Sequence, residues 1–547
     1  MTKRHCTVVS DFTIGAFAGY LSNDAGEPKV EASAAAYGDV RATLLDVARA
    51  RGARPDIAVV WTRPEAVISA YARLISGEPV AREALLGDVA DYADALLQFA
   101  QHAALTVVPA WVSPPAVTRG MYGGRAGGAA DALREMNMEL SVRLRERPSV
   151  VVLDPSGWLL AAGRRAFATK AWYLGKIPFG DEAFKEAVRD VKAAIIAASG
   201  RSRKLLLLDA DDTLWGGLVG EEGWQQLRLG GHDPIGEAYL DVQRRLLNLA
   251  ARGILIGIVS RNDETAVMEA LAKHPEMLLR RDAIAGWRIN WSDKAKNVAD
   301  LTSALNIGLD AVVFVDNSPA ERDRVRTALP DVLVPEWPSD PLEFPAALDD
   351  LRCFDAAALT EEDRGRTQHA GAERQRDERR LMAISYEDWL RELAVRIDAR
   401  PLDAADAPRA AQLLNKTNQM NLTTRRLTEA QLMEWAASPR RQCWTFRVSD
   451  RFGDYGLCGL AGFEAEGDSA VLADFLLSCR ALGRGVEQGM LETVLREAQR
   501  SGARRVVAHY RQSARNGPCL EFLRSSSASN SGDGTFSFKL ARRNGPR

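Results

Sequence analysis

The 547-residue chain carries 71 basic against 73 acidic side chains, a formal net charge of -2, with 46% hydrophobic and 26% charged residues. That balance gives no basic surplus for nucleic acid, and the length exceeds what one hydrophobic core serves, so about three domains are expected. Cys6, Cys353, Cys443, Cys458, Cys479 and Cys519 are scattered without C-x-x-C spacing. This argues against a zinc site or disulfide framework and for a reducing cytoplasm. The basic start Met1–His5 precedes an apolar run of only Cys6 to Val9, too short for a signal peptide, and no apolar stretch reaches membrane-spanning length. No membrane partner is expected.

From residue 1 to about 200, strand-like runs at Cys6–Val9, Ile57–Trp61, Leu105–Val108 and Val150–Leu153 alternate with helical stretches such as Tyr92 to Ala104 and Ala129 to Leu144. Alternation of this kind predicts an α/β unit with a parallel sheet.

From about 201 to 360, Leu205–Leu208 reads as a strand buried on both faces. It delivers Asp209-Ala210-Asp211-Asp212-Thr213-Leu214-Trp215-Gly216-Gly217 to its carboxyl end, where open α/β sheets place their ligand crevice. Two carboxylates two residues apart on extended backbone point the same way. One can attack phosphorus while the other handles protons, and their mutual repulsion predicts a cation such as Mg²⁺ between them. A second buried run, Ile254–Val259, ends in Ser260-Arg261-Asn262-Asp263, a hydroxyl and an amide where a helix should begin. A third, Ala311–Val315, ends in Asp316-Asn317-Ser318-Pro319, and between them Lys294 offers a positive charge for a developing phosphorane.

Residues 361–388 are dense in charge and read as a solvated linking helix or a face for an acidic partner. From 389 to 547 the pattern is that of a smaller α+β unit. Asn415, Asn418, Gln419, Asn421 and Arg425 offer amides and a guanidinium to a substrate or carrier arm, or serve as ordinary helix-end caps. Arg480, Gly483 and Gly485, after a strand and before the helix Val486 to Arg500, let backbone N–H groups approach an anion. The tail Ser525–Gly534 is polar and low in complexity and reads as a loop, which leaves the last strands in question.

The series DxDxT, Ser260, Lys294 and an acidic strand end resembles the four motifs of the haloacid dehalogenase (HAD) phosphotransferases. The stretches Asp212 to Gly223 and Asn415 to Arg425 resemble, more narrowly, the FkbH-like proteins of polyketide pathways. The resemblance implies Asp209 as nucleophile, Asp211 as general acid/base, Ser260 as phosphate-binding hydroxyl and Lys294 as charge stabiliser. Thr213 and Asn262 would contact substrate, and Asp209, Asp211, Asp316 and Asn317 would hold Mg²⁺. It further implies transfer of a glyceryl group from 1,3-bisphosphoglycerate to the phosphopantetheine thiol of an acyl carrier protein, with loss of both phosphates. Ser10-Asp11-Phe12-Thr13 resembles the start of an SGNH-hydrolase-like domain. With only His5 and His102 in that part, and none around Trp172 to Phe184, a structural or docking role is expected there rather than catalysis. The turn at Arg480 to Gly485 resembles the pyrophosphate loop of GNAT acetyltransferases.

The implied fold class is therefore α/β, with a central HAD-like parallel sheet flanked by an SGNH-like and a GNAT-like unit. The chain departs from the family at Asn317, where a second Asp is common, and no cysteine lies between Asp209 and Asp316 to carry an acyl intermediate. Two other functions stay open at this point. One is a phosphatase acting on a small phosphorylated acid, and the other is a carrier- or CoA-binding scaffold with a weakened metal site.

Overall fold

The computed structural model describes residues 3–35, 38–49, 55–121, 123–145, 147–356, 393–417, 419–451, 453–478, 481–513, 516–526, 529–530 and 534–540. The charged segment 361–388 lies outside the described residues. Among those described, no helix is long and apolar enough to cross a membrane.

The chain is α/β, built on three separate sheets. The first is wholly parallel, from β1 (Arg4–Ser10), β2 (Val30–Ala34), β3 (Ile57–Trp61), β4 (Leu105–Pro109) and β5 (Val150–Leu153), in the order β2-β1-β3-β4-β5. The sequence reading misses β2, whose Val-Glu-Ala-Ser-Ala is an exposed edge with only Val30 buried. Trp61, on the central β3, is enclosed by the rings of Phe12, Phe17, Trp158, Phe179 and Phe184. These rings bind the strand to the helices on one face through large apolar burial.

The second sheet comprises β6 (Leu205–Leu208), β7 (Leu255–Ser260), β8 (Gly286–Ile289) and β9 (Val312–Val315), all parallel, in the order β8-β7-β6-β9. Every residue of β6, β7 and β9 is buried, as near-continuous Leu, Ile and Val runs require when helices cover both faces. Leu208 pairs with both Ile258 and Val315, so β6 and β9 end level while β7 runs two residues further, to Ser260. Gly257 keeps β7 close to its neighbours, because a Cβ there would lie 2.6 Å from a Leu207 methyl and 3.2 Å from the Gly286 carbonyl oxygen.

Helix entries after these strands are capped by acids. Asp233 accepts from the Ile235 and Gly236 amides, Asp263 from Ala266 and Asp293 from Lys296. Within the first of these helices, Gln243 is fully buried. Its Nε2 donates to the Leu214 carbonyl at 2.9 Å, and its Oε1 accepts from the amides of Leu278 and Leu279. It ties the loop after β6 to the loop at residues 277–279. Gln243→Leu leaves two buried backbone groups and one part-buried amide without partners and is expected to lower stability by about 2–3 kcal/mol, read as a shift in urea midpoint at unchanged slope.

The third sheet joins β10 (Arg396–Pro401), β11 (Met420–Asn421), β12 (Arg441–Asp450), β13 (Gly453–Glu466), β14 (Ser469–Leu477), β15 (Arg505–His509), β16 (Ser529–Asn530) and β17 (Thr535–Lys539). Its order is β10-β12-β13-β14-β15-β17-β16, with β11 on β14. All pairs are antiparallel except β14 with β15, which pair in parallel only from Ser469 to Leu472. Beyond that point β14 parts from β15 and takes β11 as its neighbour instead. The last strands do form, which corrects the reading of the tail. Phe536 and Phe538 are buried in the core, and Ser529–Asn530, inside the stretch expected as a loop, pairs with β17.

Candidate active site

The carboxyl ends of β6, β7 and β9 bring Asp209, Ser260 and Asp316 to one edge, and the helix Lys294–Ala304 adds Lys294 from its first residue. The Lys294 ammonium is 3.0 Å from Asp209 Oδ2 and 2.6 Å from Asp316 Oδ2, and all three side chains are buried. Burial pulls the lysine pKa down, but the two carboxylates more than offset it and hold Lys294 protonated. Burial, then the Asp209 charge, pushes Asp316 up to about 6, although its Oδ1 accepts from the Ser318 amide at 2.8 Å. Arg322, also buried, donates to the main-chain carbonyls of Asp316 and Asn317 and fixes that turn from behind.

Asp211 is held differently. Its Oδ1 accepts from Trp215 Nε1 at 2.9 Å and the Val219 amide at 3.2 Å, and its Oδ2 from Asn262 Nδ2 at 2.7 Å. Three N–H donors orient the carboxylate, while burial outweighs them and raises its pKa. The turn that permits this places Asp212 at a φ of +50°, with its side chain accepting from the Gly217 amide at 2.9 Å. A non-glycine residue in the left-handed region marks a local constraint here. Both Asp211 oxygens thus accept hydrogen bonds, as both Asp316 oxygens do, and the side chain is held in one orientation beside the edge.

Trp215 and Arg322 are the residues that sequence reasoning passed over. Trp215 is fully buried and its position four residues after Asp211 is the only signal for its role. Trp215→Phe preserves most of the ring but removes one N–H bond to a carboxylate, which is worth about 1.5–3 kcal/mol. Turnover of phosphate release should fall roughly tenfold with KM little changed, as steady-state kinetics will read.

Asp209 Oδ1 is buried with no hydrogen-bond partner, as is the Thr213 hydroxyl. Unengaged carboxylate lone pairs in a buried pocket, beside a second carboxylate that shares the same lysine, suit a hard divalent cation. No three His, Cys, Asp or Glu side chains converge as a metal cluster among the described residues. A cation would therefore draw on Asp209, Asp316 and neutral oxygens such as the half-buried Asn317 amide.

Two of the C-terminal candidates, Asn421 and Arg425, make contacts within the fold. Asn421 donates to the Thr417 carbonyl and accepts from the Thr424 amide, closing the turn at β11. Arg425 forks onto the fully buried Asp474 and stacks over Trp435 at 4.6 Å. Both side chains thus make ties within the fold. The Gly483 amide donates to the carboxylate of Glu487 on the helix it precedes, and Gly485 sits at a φ of +77° before that helix. An acid of the chain itself thus caps this turn. Asn418 and Arg480 lie outside the described residues, as does Cys479.

Among solved structures, the chain is similar to the N-terminal part of BF1531 from Bacteroides fragilis, which contains a phosphatase domain and was crystallised with Mg. Identity is 25% and the TM-score 0.58, over 65% of this chain and 95% of that one. It is also similar to the ribosomal-protein-S18-alanine N-acetyltransferase of Escherichia coli, at 14% identity over 28% of this chain and all of that one, with a TM-score of 0.22. The GNAT domain of S. lividans PAT gives 19% identity over 26% and 89% of the two chains, again at 0.22. No protein-family model matches the chain, and no curated protein does.

Proposed function

We propose that this chain is a Mg²⁺-dependent HAD-type enzyme. It transfers a glyceryl group from 1,3-bisphosphoglycerate to the phosphopantetheine thiol of an acyl carrier protein and removes phosphate. The observation that carries the phosphoryl half of this reading is the Asp209 carboxylate, with one oxygen on Lys294 and the other buried and unengaged. The similarity to a phosphatase domain crystallised with Mg supports the same half. The glyceryl half rests on the motif Asp212 to Gly223.

In this reading Asp209 attacks phosphorus and forms an aspartyl-phosphate, while the P–O bond to the C3 oxygen of the glycerate breaks and Asp211 delivers a proton to that departing oxygen. Asp211 then takes a proton from the water that hydrolyses the aspartyl-phosphate on Asp209. Lys294 balances charge on the phosphoryl oxygens and Ser260 donates to them. Mg²⁺, held by Asp209, Asp316 and Asn317, would supply neutralisation of those oxygens. At the other end of the substrate the carboxyl-phosphate bond is already activated. The thiol displaces that phosphate directly, and the carrier step needs positioning more than acid–base help.

Intact mass spectrometry of a phosphopantetheinylated carrier, incubated with the enzyme, Mg²⁺ and 1,3-bisphosphoglycerate, tests the reading. A glyceryl adduct free of phosphate is expected. Phosphate release with an unmodified carrier would make the protein a phosphatase on small phosphorylated acids, the reading that the BF1531 likeness favours on its own.

A further inference from the structure

Between Asp154 and Asp181 the chain contains Arg164, Arg165, Lys170 and Lys176 and not one acidic residue, in a protein whose charges otherwise nearly cancel. The segment folds as two short helices, Ser156–Ala162 and Thr169–Gly175, at the end of the first sheet's unit. Its base is anchored. Phe167 bridges Phe179, the Ala168 amide donates to the Pro178 carbonyl, and the Gly180 amide donates to that of Ala166. Inward, Trp158 and Phe179 fill the core around Trp61. Outward, the segment shows Leu160, Tyr173 and Leu174, each more than three-quarters exposed.

The four basic side chains are exposed as well, and among the described residues no carboxylate pairs with any of them. Trp172 lies between two cations, with the Arg63 guanidinium 4.1 Å and the Lys176 ammonium 4.8 Å from its ring centroids. A rigidly based segment that exposes three large apolar side chains and four unpaired positive charges is unlike an ordinary solvated surface. Such surfaces expose large apolar side chains singly and intersperse both signs.

We infer that Leu160, Tyr173 and Leu174, framed by Arg164, Arg165, Lys170 and Lys176, form the docking surface for an acidic partner protein, the acyl carrier of the proposed reaction. The identity of the partner rests on that reading. The chemistry of the surface fixes its class, since a basic frame steers an acidic protein and the apolar centre holds it. The small polyanion 1,3-bisphosphoglycerate offers nothing to exposed leucines and a tyrosine. This also gives the first unit a task without catalysis.

Binding of the phosphopantetheinylated carrier to the full-length enzyme, measured by titration calorimetry at several salt concentrations, tests the surface. Arg164→Glu with Arg165→Glu and Lys170→Glu should weaken Kd at least about tenfold and flatten its salt dependence. Tyr173→Ser with Leu174→Ser should weaken it about tenfold at every salt concentration. Both variants should hydrolyse p-nitrophenyl phosphate at the wild-type rate and keep the wild-type Tm, because they touch neither the phosphoryl site nor a core. Carrier affinity equal to wild type in both variants overturns the surface. So does a wild-type enzyme that binds no carrier, or one that binds vesicles of anionic phospholipid in its place. Carrier that binds through this surface yet gains no glyceryl group keeps the docking and removes only the transfer reaction.

Discussion

Asp209→Asn is expected to abolish phosphate release, by at least about 10³-fold in kcat, while leaving the metal-free protein as stable as wild type or more so. The two effects have one cause. The carboxylate is the attacking group, and an amide cannot form the aspartyl-phosphate. It is also a like charge buried against Asp316, whose own pKa it helps to push up to about 6. A carboxyl group with a raised folded-state pKa destabilises the fold once pH exceeds the ordinary carboxylate range, and the full penalty is present above the raised value. A shift of about two units is worth at most ~3 kcal/mol, of which burial takes the larger share and Asp209 the rest.

Removing the Asp209 charge should therefore raise Tm at pH 7. The gain should shrink as pH falls through 6, where the wild-type Asp316 takes up its proton. Thermal melts of both proteins in chelator across pH 5 to 8, with phosphate release measured alongside, read both halves. Retained activity removes Asp209 as nucleophile, and a Tm gain that grows toward low pH removes the charge argument.

The strands that build this site were legible because burial on both faces leaves only apolar residues, as in Leu205–Leu208 and Val312–Val315. β8 was not, since Gly286-Trp287-Arg288-Ile289 is an edge strand with a half-buried arginine and neither period nor run. Asp209, Asp211, Ser260, Lys294 and Asp316 were legible because each follows a strand end or a cap, and the structure brings four of them to a single edge with Asp211 beside it. Trp215 was hidden by its own burial. A tryptophan after a leucine reads as core, and its Nε1–H reaches Asp211 only because Asp212 turns the chain at positive φ. Asn421 and Arg425 show a different ambiguity. Amides and a guanidinium in a row suit a ligand or a fold equally, and the deciding partner, Asp474, lies 49 residues away in sequence.

Lys294→Met carries the second large effect, and here stability and activity fall together. Among the described residues, the lysine is the one side chain bonded to both Asp209 and Asp316. Removing it leaves two buried carboxylates facing each other with no counter-charge, the situation in which a broken buried pair costs about 3–5 kcal/mol. For a unit of this size the melt should move down by about 10 °C. Phosphate release should fall by at least about 10²-fold, since the positive charge aimed at the phosphoryl oxygens is gone.

Magnesium separates this cause from mere loss of packing. A divalent cation that binds the folded carboxylates and not the unfolded chain returns stability in proportion to its concentration over its dissociation constant. Millimolar Mg²⁺ should therefore raise the Tm of Lys294→Met by more than it raises that of wild type, in which the lysine already supplies one positive charge. It should not restore turnover, because the missing ammonium is needed where the phosphoryl oxygens develop charge. Equal responses to Mg²⁺ in the two proteins would mean that the carboxylates facing Lys294 are not the metal's ligands.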